Sequence, residues 1–182
     1  TTAQHVRDEL GDSVDMILDG GACKVGLEST IVSCIGDTVT VLRPGGIPLA
    51  AIEEVLQHKV EVIDSSSAKI RVSGSVLSHY APVTPLELLP RESLWQRACE
   101  LEQQGLRVAT LEWSAPDTVH SAHAGIQRTT MPANAAAYGQ MLYATLRQLD
   151  HAHFDRLLAE ATPHSTEWLA VADRLKRASH RD

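Results

Sequence analysis

Aromatic side chains are scarce in this chain, at 4% of residues with a single Phe. A core must therefore rest on Leu, Val, Ile and Ala within a hydrophobic fraction of 43%, which suits an α/β protein. No apolar run approaches the roughly 20 residues that span a bilayer, and no cationic leader precedes an apolar stretch, so a cytoplasmic protein is expected. Cys23, Cys34 and Cys99 are odd in number and scattered, which excludes a disulfide framework or a CxxC metal knuckle and fits a reducing compartment. Positive charge is also in short supply: 16 Lys and Arg stand against 23 Asp and Glu, a net charge of -7. That balance argues against a broad nucleic-acid surface. The one cationic cluster, Arg174, Lys176, Arg177 and Arg181 with His180, reads as complement to a helix dipole at the C-terminal end.

What is present is a series of polar groups set around strand-and-turn segments. Residues 29–34, Ser-Thr-Ile-Val-Ser-Cys, follow the pair Gly20-Gly21 and are predicted to form a strand. Hydroxyls of Ser29 and Thr30, with nearby backbone N–H groups, suit a carboxylate or phosphate oxygen at its start. A second strand over 38–42 follows the turn Gly36-Asp37, so a hairpin should bring Ser29 and Arg43 to one end. Arg43 carries a planar, permanently charged fork for an anion, and Pro44-Gly45-Gly46 ends the strand beside it. Each piece alone has an ordinary structural reading: Ser-Thr before β-branched residues is common strand sequence, and His79-Tyr80 can be a packed pair in a loop.

Breakers divide the rest. A short helix over 5–10 closes at Gly11, a strand is predicted over 14–18, and residues 49–57 are amphipathic with Ile52, Val55 and Leu56 on one face. Residues 60–63 read as a strand, and 64–85, rich in Ser, Pro and Gly, as a linker between domains at 1–63 and 86–182. The second unit alternates: strand 86–89, helix 92–104 closed by Gly105, strand 107–113, and a polar, proline-bearing loop. A helix over 135–149 follows, N-capped by Asn134 with Tyr138, Leu142, Leu146 and Leu149 along one face, then strand 156–160 and helix 167–178. This alternation predicts a small parallel sheet covered by helices, a Rossmann-like three-layer unit without a G-x-G-x-x-G fingerprint. His120 with His123, and His151 with His153, have spacings able to reach a zinc ion, but a polar loop and a helix end account for them. A Ser75/His79 nucleophile pair lacks an acidic orienter nearby.

Taken in order, these segments resemble the C-terminal half of the YrdC-like domain of two-domain threonylcarbamoyl-AMP synthases. The residues that carry the resemblance are 26–32 for the Ser-Thr-Val/Ile motif, 42–45 for the Arg-Pro-Gly motif, and 74–82 for a linker ending in His79-Tyr80-Ala81-Pro82. Residues 142–150 and 172–178 are similar to helical signatures of the family's smaller C-terminal domain. The resemblance implies an α/β fold made of a partial YrdC-like domain, a linker and that small domain. A Lys-x-Arg pair and a Ser/Asn loop, which in the family grip ATP phosphates and threonine, have no counterpart before residue 1, so a missing N-terminal half is expected as partner. Truncation of this kind is expected to expose Val32 and Leu42 and to favour association.

The implied reaction joins L-threonine, bicarbonate and ATP into threonylcarbamoyl-AMP and pyrophosphate, the donor for a downstream tRNA threonylcarbamoyl transferase. By the resemblance, Ser29 holds threonine, Arg43 meets ATP with Thr30 and Ile31 lining the pocket, and Tyr80 contacts the nucleotide while His79 helps to cover it. The chain reads Ser73-Gly74-Ser75-Val76-Leu77-Ser78-His79-Tyr80 where a common form is Pro-Gly-Met-Lys-Tyr-Arg-His-Tyr, so the linker's basic residues are not carried over; Lys69 and Arg71 lie upstream. Mg2+ is expected with ATP, held mostly by phosphates and water. The alternative reading is a non-catalytic regulatory or ligand-binding module, and a separate hydrolase or metal-binding domain is more distant.

Overall fold

The computed structural model describes residues 1–63, 81–114 and 123–180. The chain begins with helix α1, Ala3–Leu10, whose N-terminus is capped by the Thr2 hydroxyl accepting from the His5 amide and whose C-terminus stops at Gly11 with φ of 48°. Residues 14–18 form no strand, a correction to the sequence reading: Met16 and Leu18 are 76% and 86% exposed. An apolar alternation makes a strand only where a neighbouring strand satisfies its backbone, and these residues have none among those described.

Strands β1, Ile31–Ser33, and β2, Thr40–Arg43, form the expected antiparallel hairpin, although shorter than predicted at the first strand. Helix α2, Leu49–Leu56, then returns the chain to β3, Glu61–Val62, which lies parallel to β2 in a three-stranded sheet of order β1-β2-β3. Glu53 ties the return, accepting from the Lys59 ammonium at 2.8 Å and the Val60 amide at 3.1 Å. Val55, expected on the buried face of α2, is 82% exposed.

The second sheet contains β4, Leu86–Leu89, β5, Val108–Glu112, β6, Ile126–Thr130, and β7, Arg156–Glu160, all parallel in the order β4-β7-β5-β6. Helix α3, Arg91–Gln103, covers one face, and α4, Ala135–His151, with α5, Leu169–Ser179, covers the other. The period of two along the strands feeds both layers. Val108 and Leu158 pack with Leu94, Ala98 and Leu101, whereas Ala109, Leu111, Leu157 and Ala159 pack with Tyr138, Leu142, Leu146 and Leu175. Each fully buried leucine contributes about 2 kcal/mol of burial free energy.

The sequence reading left β6 inside a loop. It is an edge strand, and only its first residue, Ile126, is buried, so no apolar pattern announces it. Asn134 caps α4 as expected, its side-chain oxygen accepting from the Ala137 amide at 2.8 Å. Asp150, at the far end of that helix, accepts from the amides of Val83 and Thr84, both at 2.9 Å. The described end of the predicted linker is thereby fastened to the second sheet's layer.

Candidate functional site

The hairpin delivers the polar residues to one place. Arg43 donates through Nε and Nη2 to the Ser29 carbonyl, at 3.2 and 2.7 Å, and through Nη2 to the Ser29 hydroxyl at 3.3 Å. Ile31 lies opposite Arg43 in the ladder, where the register shifts between Ile31 and Val32. One step further, the Thr30 hydroxyl donates to the Ile47 carbonyl at 2.7 Å and accepts from the Ile47 amide at 3.1 Å. Gly46 donates its amide to the Glu28 carbonyl at 2.8 Å. Gly45 makes this docking possible: a methyl group there would collide with the Glu28, Ser29 and Thr30 backbone.

Segment 28–31 is therefore laid against segment 43–47 by main-chain and hydroxyl bonds rather than by a core. Ser29 stays exposed, and Arg43 is buried with its fork turned toward Ser29. Four of the sequence-predicted site residues, Ser29, Thr30, Ile31 and Arg43, meet at this end. His79 and Tyr80 lie outside the described residues, as do Lys69, Arg71, Ser75 and His120.

The second sheet's layer holds the same segment from behind. Arg174, on α5 and 3% exposed, donates through Nε to Glu28 Oε2 at 2.8 Å and through Nη2 to the Pro44 carbonyl at 3.2 Å, while Nη1 bonds Asp173. The Tyr143 hydroxyl, on α4, reaches both Glu28 carboxylate oxygens at 3.1 and 3.2 Å. Burial pushes the Glu28 carboxyl up, but the Arg174 bond, a backbone bond and Tyr143 outweigh it, and the group titrates below the ordinary carboxylate value. For Arg174, burial pulls downward and Glu28 more than compensates, so its affinity for the proton rises.

Gly26 completes this face. It packs so closely on α4 that a methyl group would collide with the Gly139 carbonyl and the Gln140 backbone. Gln140 also donates to the Cys23 carbonyl at 3.3 Å, and Arg147 bridges to Glu9 at 2.8 Å. Between the two layers lies a cavity of about 380 Å3, mostly apolar, with Leu27, Thr30 and Ile47 on one side and Ala135, Gly139 and Leu169 on the other.

Glu28, Tyr143 and Arg174 were missed by sequence reasoning. The basic cluster read as dipole complement is corrected for Arg174, which is buried at mid-helix; Lys176 and Arg177 do lie in the last turn of α5, and Arg177, also buried, pairs with Asp173 at 3.0 Å through both Nε and Nη2. The usable signal was position: Arg174 falls in the middle of α5, too far from its C-terminus for a dipole contact.

His123 approaches Glu102 at 2.5 Å and stacks edge-on with Trp95 at 5.4 Å, while Glu102 also accepts from the Gly125 amide. Among the described residues no three His, Cys, Asp or Glu side chains are grouped as metal ligands. No helix among the described residues is long and apolar enough to cross a membrane.

Comparison with known proteins gives a consistent result. Residues 1–45 match the family described as "Telomere recombination", and residues 47–180 match that described as "Threonylcarbamoyl-AMP synthase, C-terminal domain". Threonylcarbamoyl-AMP synthase of Bacillus subtilis is 32% identical over 98% of this chain and 53% of its own length. The Pyrococcus abyssi synthase is 28% identical over the same shares. The crystal structure of P. abyssi Sua5 complexed with L-threonine superposes with a TM-score of 0.81 at 25% identity, covering 98% of this chain and 53% of that one. This chain thus spans about half the length of the curated relatives it matches. With the C-terminal family match extending over well more than half of its residues, the chain belongs to the threonylcarbamoyl-AMP synthase family.

Proposed function

We propose that the hairpin end around Ser29 and Arg43 forms part of the substrate site of an L-threonylcarbamoyladenylate synthase acting in tRNA threonylcarbamoyladenosine modification. The observation that carries this reading is the convergence of an exposed Ser29 hydroxyl and the Arg43 guanidinium, fixed within 3.3 Å of one another. The relative crystallised with L-threonine, aligned over 98% of this chain, supports the substrate class.

In the proposed reaction the threonine amine combines with bicarbonate, releasing water and leaving a carbamate. A carbamate oxygen then attacks the ATP α-phosphorus, and the bond to the departing pyrophosphate breaks. No step needs a protein nucleophile, so positioning and charge neutralisation carry the transfer. Ser29 would hold threonine, and Arg43 would offset phosphate charge on the ATP side, with Thr30 and Ile31 shaping the wall. His79 and Tyr80 would cover the site, and magnesium would enter with the triphosphate. Apolar side chains exposed on residues 1–63 support a complementary half of the catalytic domain as a protein partner. The product would pass to a tRNA threonylcarbamoyl transferase in the cytoplasm.

Mass-spectrometric detection of threonylcarbamoyl-AMP tests this, using the chain mixed with ATP, L-threonine, bicarbonate and Mg2+, with and without the complementary half from a relative. Product only with the added half is expected. Threonine binding without product, with association of the halves demonstrated, would replace the catalytic reading by a regulatory, ligand-binding module.

A further inference from the structure

Two residues flank the proposed substrate contacts in sequence: Glu28 immediately precedes Ser29, and Pro44 immediately follows Arg43. A single side chain from the other sheet's layer grips both. Arg174 donates to the Glu28 carboxylate and to the Pro44 carbonyl, and the Tyr143 hydroxyl reaches both oxygens of the same carboxylate. We infer that Arg174 is a positioning residue through which the second domain sets the geometry of the Ser29–Arg43 site. This inference rests on the synthase reading for its substrate and on the ion cluster alone for its geometry.

The physical argument begins with burial. A guanidinium 3% exposed has lost nearly all its water, and each of its three nitrogens donates once, to Glu28, Asp173 and Pro44. Such a fork fixes distances between its acceptors, because its donors lie in one rigid plane. The 28–31 and 43–47 segments are otherwise joined by the Ile31–Arg43 ladder pair, the Arg43–Ser29 and Thr30–Ile47 bonds and the Gly46–Glu28 bond. Breaking the clamp frees Glu28, hence the start of the strand that presents Ser29, and frees Pro44, hence the turn that seats Arg43. Surface contacts cannot substitute: the Arg147–Glu9 pair joins α4 to α1 and touches neither segment, with Glu9 62% exposed.

The test compares Arg174→Met, Arg174→Lys and Glu28→Gln with Arg147→Met as control. Amide hydrogen exchange in the chain itself reads the clamp without any catalysis. Arg174→Met is expected to speed exchange of the Gly46 and Ile47 amides about tenfold, with the β4–β7 sheet unchanged. Arg174→Lys, which keeps the charge and loses the fork, should fall between Met and wild type, and Arg147→Met should match wild type. In the reconstituted product assay, Arg174→Met should lower kcat/KM for L-threonine about tenfold, chiefly through KM.

Unchanged exchange at Gly46 and Ile47, or an unchanged KM in an active preparation, would overturn the positioning role. Equal loss of protection across both sheets would also overturn it, because Arg174 would then be a general structural residue; Glu28→Gln, which leaves α5 intact, reads the same bonds if Arg174→Met fails to fold. Absence of product from the wild-type preparation would instead count against the synthase reading, and the exchange comparison would still decide the clamp.

Discussion

Residues 1–63 and 81–180 are organised by different forces. The second region buries its apolar residues in two layers about a parallel sheet, and among its described residues the large hydrophobics left exposed are Val83 and Met141. The first region fully buries only Val41, Leu42 and Val60 among its hydrophobics, so the expected exposure of Leu42 is corrected and Val32 is only partly exposed, while Val6, Leu10, Met16, Leu18, Val25, Ile35, Ile47 and Val55 are exposed. It is held by backbone docking at Gly45, by the Thr30–Ile47 bonds, and by the Glu28–Arg174–Tyr143 cluster. One region is stabilised from within; the other takes its shape from what it leans on. The proposed substrate residues lie in the second kind of structure, which explains why a distant helix contributes a buried arginine to them.

That contrast can be broken in descending steps. Leu157→Ala, at a position fully buried between β4 and β5, should cost about 3 kcal/mol in chemical denaturation and unfold both regions together, since the first leans on the second. Gly26→Ala should cost about 2 kcal/mol by forcing segment 24–28 off α4. Its signature is loss of protection in residues 24–47 with the β4–β7 sheet retained. A cooperative loss of both would mean that the regions form one unit of stability.

Acid gives a smaller and reversible step. The Glu28 value is lowered on folding, so its contribution is fully present above the unfolded value near 4.5 and is lost as pH falls through the folded value. Exchange at Gly46 and Ile47 should therefore accelerate below that pH beyond the intrinsic pH dependence. Glu28→Gln should remove the extra acceleration. The least change is expected from Val55→Ser: within about 0.5 kcal/mol by thermal unfolding, because the side chain is already in solvent.

Much of the second region was legible because its signals are local. The period of α4 named Tyr138, Leu142, Leu146 and Leu149, all of which are buried, and Asn134 named the cap. The hairpin was legible from its turn, which places Ser29 beside Arg43. Residues 14–18 misled because alternation without a partner strand satisfies no backbone bonds. β6 was hidden because an edge strand with Arg128 and two threonines needs little apolar surface. Arg174 was hidden for a different reason: its meaning depends on Glu28, 146 residues away, and no local pattern encodes that distance.

Titration of the isotopically labelled chain with L-threonine, followed by amide NMR, tests the central claim most directly. The account predicts shifts confined to residues 28–31 and 43–47, weakened in Ser29→Ala and in Arg174→Met. Shifts at the carboxyl ends of β5 and β7 instead, or none with millimolar ligand and the complementary half bound, would contradict it.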